Sequence, residues 1–374
     1  MALMKNNKNS QAYKRNLLQA ENRATGLLNL IIVVAIGAIA YTDKIVVEDD
    51  SIGYLYLLPI ALSGLVNRLP VTIAIALFCA FLQDLFGLPT DTLHVRVLRG
   101  VITLAGYLIV SFFVTRIATQ RGKMAADIRQ QRDDYERDLT LASQVQRQVL
   151  PKPPIVPGIE LAASMQTARL LGGDYYDFFQ ISEDIVDIVI ADVSGKGAAA
   201  SLLMPSLAVV LRLRARELSG PAAIIKDLDN VLKQITGPAN FVTVFYARVN
   251  PSLRTLQYAN GGHNPPLLVR TRTQTTLLLE ESGPIVGILP DAQFSDTVVK
   301  LESGDILTLY TDGVTEQENE NEDQFSIDRL KNLILSNETD SAATLVSDVT
   351  EAVSTFAGTK EQEDDLTLVV AKIL

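Results

Sequence analysis

Four aspartates stand at the ends of β-rich runs: Asp174 in "GGDYYD", Asp312 in "YTDGV" and Asp364 in "EDDLT", each beside glycine or a second acid, and Asp192 in "ADVSGKG", three residues before Gly195. Asp-Gly and Asp-Asp at strand ends are common turn chemistry, and any one of the four, taken alone, reads that way. Together they suggest something else. Carboxylates crowded at one end of a sheet repel each other unless cations neutralise them, and all-oxygen sites suit Mg or Mn rather than Zn. The stretch "IADVSGKGAAAS" raises a rival reading, a loop that cradles a nucleotide phosphate. Such a loop needs a glycine five positions before its Gly-Lys pair and Ser or Thr just after the lysine. Ile190 and Gly197 occupy those positions, so the spacing excludes it.

Which elements position these acids? After Pro157 short β-rich runs ("IELAASMQ", "IVDIVIADV", "FVTVFYARV", "TLQYANGG", "ILTLYTDG", "LTLVVAKIL") alternate with two amphipathic stretches before Ala239 and two after Phe325. Short turns, not crossover helices, join most strands. That pattern predicts antiparallel sheets covered by helices, an α+β arrangement, over a doubly wound parallel sheet.

The chain ahead of this region is different. Its 374 residues carry a net charge of −10, yet mean hydropathy is +0.20. The apolar residues are concentrated in four nearly uncharged runs, Ala24–Thr42, Ser51–Asn67, Leu69–Thr90 and Gly100–Thr115. A spanning helix needs about 20 mostly apolar residues. The first and third runs qualify outright, the second and fourth only with their flanks. Residues 24–116 therefore read as a four-helix transmembrane region and residues 1–23 as a cytoplasmic segment. Its long polar lead and the lack of a cleavage pattern argue against a secretory signal. Lys5, Lys8, Lys14, Arg15 and Arg23 precede the first helix, the loop "DKIVVEDD" is acidic, and Arg116, Arg121 and Lys123 follow the fourth. The positive-inside rule places both termini in the cytoplasm of a bacterial inner membrane. Arg96 and Arg99 fall on the wrong side, where Asp84 could pair with one of them.

Composition excludes several functions. Net acidity argues against a nucleic-acid partner. Cys79, the single cysteine, lies in an apolar run and reads as a small buried hydrophobe. With only His94 and His263, a His-rich zinc site is excluded by count.

Residues 117–150 form a linker. Alternating steps of four and three give Ile117, Arg121, Met124, Ile128, Gln131, Tyr135, Asp138, Ala142, Val145 and Val149, and seven of these ten are apolar. That is a heptad seam, weakened by its three polar members, and it predicts a marginal dimeric coiled coil over a solvated linker helix. "PKPPIVPG" terminates it.

Residues Gln144 to Leu374 resemble the SpoIIE/RsbU branch of the metal-dependent PPM protein phosphatases. The resemblance runs in order through "ASQVQRQVLP", "GGDYYDFF", "ADVSGKGAAASLLM", "NFVTVFYARV", "NGGHNPPLLV", "GPIVGIL", "GDILTLYTDGVTEQEN" and "EDDLTLVV". It implies an α-β-β-α sandwich over residues 151–374 and two Mn2+ or Mg2+ ions. Asp174 and Asp192 would be ligands, Asp192 bridging with help from the Val193 carbonyl. Asp312 and Asp364 would complete the sites, with adjacent Asp365 an alternative to Asp364. Gly195 and Gly197 would permit the sharp turn, with Lys196 facing solvent or phosphate. Ser194 stands where eukaryotic relatives place a histidine proton donor. Arg169 is a candidate phosphate-binding group, weighed against an ordinary surface arginine, and His263 is expected to stabilise a turn.

The activity implied is hydrolysis of phosphoserine or phosphothreonine by metal-activated water, on a small STAS-type anti-sigma-factor antagonist. A membrane signal would reach the enzyme through the linker of a homodimer. The rival from another class is a phosphoprotein-binding module without catalysis, which would gain nothing from four mutually repelling acids. A channel or transporter with a regulatory tail is disfavoured by short loops and few intramembrane polar groups.

Overall fold

A computed structural model describes residues 2–46, 52–86, 92–195, 198–235 and 240–374. Lys196, Gly197 and the acidic Glu48, Asp49 and Asp50 lie outside the described residues. The chain divides into two compact units, Met1–Asp134 and Tyr135–Leu374.

The first unit is helical. α1 (Ala2–Val46) runs through the polar lead and the first apolar run without a break. A 3-10 turn (Gly53–Tyr56) leads into α2 (Leu57–Val66), and α3 (Leu69–Phe86) and α4 (Leu93–Val149) follow. Among the described residues three helical stretches, Arg23–Ile45, Leu69–Phe86 and Leu93–Gln148, are long and apolar enough to cross a membrane, and Gly53–Val66 is a shorter apolar helix. The second run is cut short because Asn67 leaves the helical region (φ −106°, ψ 162°).

Inside this unit Ile32 and Ile36 of α1, Ile60 of α2, Ala76 and Cys79 of α3 and Tyr107 of α4 pack together, while Leu30, Val33, Phe78, Phe81 and Ile102 point outward. Cys79 is buried, as its place in the sequence suggests. Arg96 grips Asp84 with Nε and Nη2 at 2.9 Å each, which settles the pairing expected for that aspartate.

The second unit holds two antiparallel five-stranded sheets. One has the order β1 (Ile159–Gln166), β10 (Leu366–Ile373), β9 (Ile306–Tyr310), β6 (Leu267–Arg270), β7 (Thr275–Leu278). The other has β2 (Asp174–Ser182), β3 (Ile185–Val193), β4 (Val242–Asn250), β5 (Thr255–Gly261), β8 (Thr297–Lys300). Ile188, Ile190 and Phe245 of one sheet meet Leu307, Leu309 and Val369 of the other in a shared apolar core. α5 (Ala198–Glu217) and α6 (Pro221–Ile235) cover the outer face of the second sheet through Met204, Leu211, Ile225 and Leu228. α8 (Ser326–Ser336) and α9 (Ala342–Ala357) cover the first through Leu330, Ile334, Leu345 and Val349. Strands buried on both faces lose their alternation, which is why "IVDIVIADV" reads as a nearly continuous apolar run. The layers are α-β-β-α.

Candidate active site

Register brings the first two acids together. In the β2–β3 ladder Asp174 lies directly opposite Asp192. Asp174 is 2% exposed, and its Oδ2 accepts hydrogen bonds from Thr311 Oγ1 at 2.8 Å and Thr367 Oγ1 at 2.5 Å. Thr367 lies on β10 of the other sheet and Thr311 directly follows its β9, so the bonds stitch the two sheets at this end. Burial, then the charge of Asp192 beside it, pushes the Asp174 carboxyl well above the usual carboxylate range, with Asp365 adding to the push.

A cleft opens above this pair, lined by Ala168, Arg169, Leu171, Gly173, Asp192, Gly195, Glu363, Asp364 and Asp365. A second hollow of about 140 Å³ is lined by Asp312, Glu316, Gln317, Glu318, Gln324, Glu363 and Asp364. Asp364 belongs to both. Asp312 begins α7 (Asp312–Thr315), directly after β9 and Thr311. Burial and the neighbouring Asp312 and Asp364 raise the Glu316 carboxyl as well.

The two adjacent acids of "EDDLT" do different things. Asp365 accepts from the Ala168 amide through Oδ1 at 2.9 Å and from the Gly173 amide through Oδ2 at 2.7 Å, which ties down the loop leading into Asp174. Asp364 turns toward the two hollows, and its Oδ1 caps the Asp365 amide at 2.9 Å.

The glycines before Asp174 are required by this packing. A Cβ on Gly172 would lie 2.5 Å from Asp365 Oδ2, and one on Gly173 would lie 3.0 Å from the Val193 carbonyl. Gly195 takes φ +96°, a conformation that favours glycine, and turns the chain out of β3.

Ser194 is a staple: its Oγ accepts from the Phe241 amide at 2.8 Å, while its own amide donates to the Phe241 carbonyl at 2.9 Å. His263 holds a turn and part of the core. Its amide donates to Asn260 Oδ1 at 2.8 Å, and its ring lies 2.9 Å from Thr243 Oγ1 and 3.2 Å from the Tyr310 carbonyl. Complete burial lowers its pKa to about 4.

Three supporting residues carried no individual assignment in the sequence: Thr311, Thr367 and Gln146. All three sit in segments that caught attention for other members, "YTDG", "DDLT" and "ASQVQRQVLP". Gln146 grips Gly172 at both ends of its peptide, Nε2 donating to the carbonyl at 2.6 Å and Oε1 accepting from the amide at 3.2 Å. The end of α4 is thereby fastened two residues from Asp174.

The donors in this region are oxygen atoms carrying excess negative charge, which fits hard divalent cations. Among the described residues, no three His, Cys, Asp or Glu side chains are grouped tightly enough to hold an ion by themselves. Asp192, Asp364 and the Val193 carbonyl would have to share a cation with water.

Comparisons with known proteins complete the picture. The family described as "Stage II sporulation protein E (SpoIIE)" matches residues 182–374, just over half of the chain. The chain belongs to the SpoIIE family. "Domain of unknown function (DUF4118)" matches residues 24–135. Phosphoserine phosphatase RsbU of Bacillus subtilis is 29% identical over 257 residues, covering 68% of this chain and 73% of its own length. Phosphoserine phosphatase RsbP of the same organism is 28% identical over 183 residues, 48% of this chain and 45% of its own length. The chain thus spans about three quarters of the first relative and under half of the second. The SiaA-PP2C domain of Pseudomonas aeruginosa superposes with a TM-score of 0.59 at 19% identity, covering 65% of this chain and 98% of that domain. The α-β-β-α sandwich of this SpoIIE-family chain is therefore the PP2C fold, and the chain is a protein serine/threonine phosphatase of the PPM type.

Proposed function

We propose that this SpoIIE-family protein is a membrane-anchored, metal-dependent phosphatase that removes phosphate from serine or threonine of a regulatory protein. The observation that carries the reading is the opposition of Asp174 and Asp192 beneath a cleft shared with Asp364. Two buried or half-buried like charges at this spacing call for a cation. Bound Mn2+ or Mg2+ would lower the pKa of a water and offset charge on the phosphoryl oxygens.

The residues divide the remaining work. Asp174, Asp192, Asp364 and the Val193 carbonyl would hold the cations, and Asp312 would serve the adjoining hollow. Asp365 keeps the 168–174 loop in place. Arg169, exposed at the cleft wall, would bind substrate phosphate. Resemblance to the SpoIIE/RsbU branch points to a STAS-type anti-sigma-factor antagonist as substrate.

The outward apolar side chains of the three long helices support a lipid-embedded first unit with both termini in the cytoplasm. Ile117, Met124, Ile128, Tyr135 and Val145 of the heptad seam are all at least half exposed, which supports pairing with the same seam of a second copy.

The test uses the full chain in nanodiscs, with p-nitrophenyl phosphate and with phosphorylated STAS proteins of the same organism, with and without Mn2+. Mn-dependent turnover that disappears in Asp192→Asn supports the site. Tight binding of the phosphoprotein without turnover would mean a binding module instead.

A further inference from the structure

At the cleft end of the sandwich the inner face of the second sheet carries a row of polar side chains. Asp174 lies opposite Asp192 in the β2–β3 ladder, and Asp192 lies opposite Thr243 in the β3–β4 ladder. Ile190 and Phe245 face the other sheet, so alternation puts Asp192 and Thr243 on that same inner side. β5 is the next strand, and His263 stands two residues beyond its last residue, Gly261. In the other sheet β9 ends at Tyr310, and Thr311 and Asp312 follow directly.

His263 is 1% exposed. Its amide donates to Asn260 Oδ1 at 2.8 Å, and its carbonyl accepts from Asn260 Nδ2 at 3.0 Å. Those two bonds fix the turn without the ring. The ring reaches further: Nε2 lies 3.2 Å from the Tyr310 carbonyl, and Nδ1 lies 2.9 Å from Thr243 Oγ1. A carbonyl can only accept, so Nε2 carries the ring proton. Nδ1 is then an acceptor, and the Thr243 hydroxyl donates to it. The neutral ring has one bond within its own sheet and one across to the other. Tyr310 holds the same turn a second time, since its hydroxyl donates to the Pro265 carbonyl at 3.1 Å.

Two of the connections between the sheets at this end differ in kind. One runs from Thr311 and Thr367 to Asp174 Oδ2. Its acceptor is itself one of the four acids, so the bonds weaken whenever the charge of that carboxylate is taken up elsewhere. The other runs through His263, from the strand beside Asp192 to the residue two before Asp312. It is made by an uncharged ring and a backbone carbonyl, and it uses no oxygen of the four acids.

We propose that His263 is a positioning residue for the phosphatase reaction: its neutral ring is a strut that sets the separation between Asp192 on one sheet and Asp312 beyond the other. The proposal rests on the reading of the four aspartates as metal ligands. It adds a residue that lines neither hollow and acts through the strands that carry those ligands.

Two substitutions separate the strut from the turn. His263→Asn sets its amide near the position of Nδ1, keeps Thr243 in reach and loses Tyr310. His263→Gln sets its amide near the position of Nε2, keeps Tyr310 and loses Thr243. Each loses one ring bond and both keep the backbone bonds to Asn260, so a role confined to stability predicts equal effects. Mn2+ binding by the full chain in nanodiscs is followed from the EPR signal of free Mn2+, independently of turnover. His263→Asn should raise the half-saturating concentration by about tenfold or more, and His263→Gln by less than about threefold, the scale on which groups that orient metal ligands act. Equal weakening in both variants, or wild-type affinity in His263→Asn, overturns the proposal.

Where the variants fail to fold, the wild type decides. The chain has two histidines, so 15N-histidine labelling gives ring signals of His263 and of His94 on α4, an internal control. His263 should show the Nε2-protonated tautomer and shift when Mg2+ is added, while His94 stays in place. An Nδ1-protonated ring, or His263 signals that Mg2+ leaves unmoved, overturns the strut. Asp192→Asn, measured alongside, tells the two readings apart. Unaltered Mn2+ binding in that variant means that the aspartate reading has failed. Loss of binding there, with wild-type affinity in His263→Asn, removes the strut alone.

Discussion

The buried acids of the phosphatase unit fall into two regions that treat charge in opposite ways. Along the outer face of the β2–β5 sheet each acid has a cation. Arg248 binds Asp187 through Nε and Nη2 at 2.8 Å each, with Tyr246 donating at 2.7 Å. Arg212 reaches Asp177 at 2.7 Å, and Lys233 reaches Asp229 at 2.6 Å. At the cleft end Asp174 instead faces Asp192, with only threonine hydroxyls to bond its Oδ2. On the reading proposed above, the acids of the cleft end are the ones that take up charge brought from outside. The difference would then separate acids that hold the sandwich from acids that hold cations.

The sharpest break of that contrast is Asp192→Asn. Mn-dependent hydrolysis should fall by at least about 10³-fold, while the thermal unfolding midpoint changes little. Retained turnover would place the chemistry elsewhere. On the other side, Arg248→Ala strands a fully buried carboxylate and should cost about 3–5 kcal/mol in urea unfolding, with the metal dependence of activity unchanged. A smaller cost, with altered metal dependence, would erase the distinction between the two regions.

Asp364 and Asp365 put the same contrast inside one dipeptide. Asp365→Asn can keep only one of its two loop amides bonded and should destabilise the unit by about 1–3 kcal/mol. Asp364→Asn should lower activity with stability nearly intact. Activity loss with full stability in Asp365→Asn, and the reverse in Asp364→Asn, would exchange the two roles.

The smallest effect concerns His263, buried and neutral with a pKa lowered to about 4 from 6.5. The unfolded chain binds this proton more readily, so the stability His263 contributes is present above pH 6.5 and is lost as pH falls toward 4. Relative to His263→Gln, wild-type stability should drop by about 2 kcal/mol between pH 6.5 and 5. A flat difference across that range would mean that the ring is not buried as described.

Much of the fold was legible. "IELAASMQ" and "IVDIVIADV" coincide with β1 and β3, the second because a run of β-branched residues bounded by turn formers carries its own limits. β7 and β8 were not. They are four-residue edge strands with largely exposed side chains, and only pairing with a neighbouring strand makes them strands. The join of the polar lead to the first apolar run was also hidden, since α1 crosses that composition change without any helix-breaking residue.

The gathering of the four candidate acids at one end of the sandwich was legible, and their separate contacts were not. Residue order and type determined that four aspartates stand at strand ends in the pattern of the SpoIIE/RsbU phosphatases. They also determined that the chain's apolar residues gather ahead of its enzymatic part. Only the tertiary structure decided that Asp365 spends its oxygens on the amides of Ala168 and Gly173 while Asp364 turns to the cleft. It alone brought Thr311 and Thr367 onto Asp174. The physical reason is distance along the chain: these partners lie from 137 to 197 residues apart. No local preference encodes a hydrogen bond that exists only after two sheets, or several helices, have packed together.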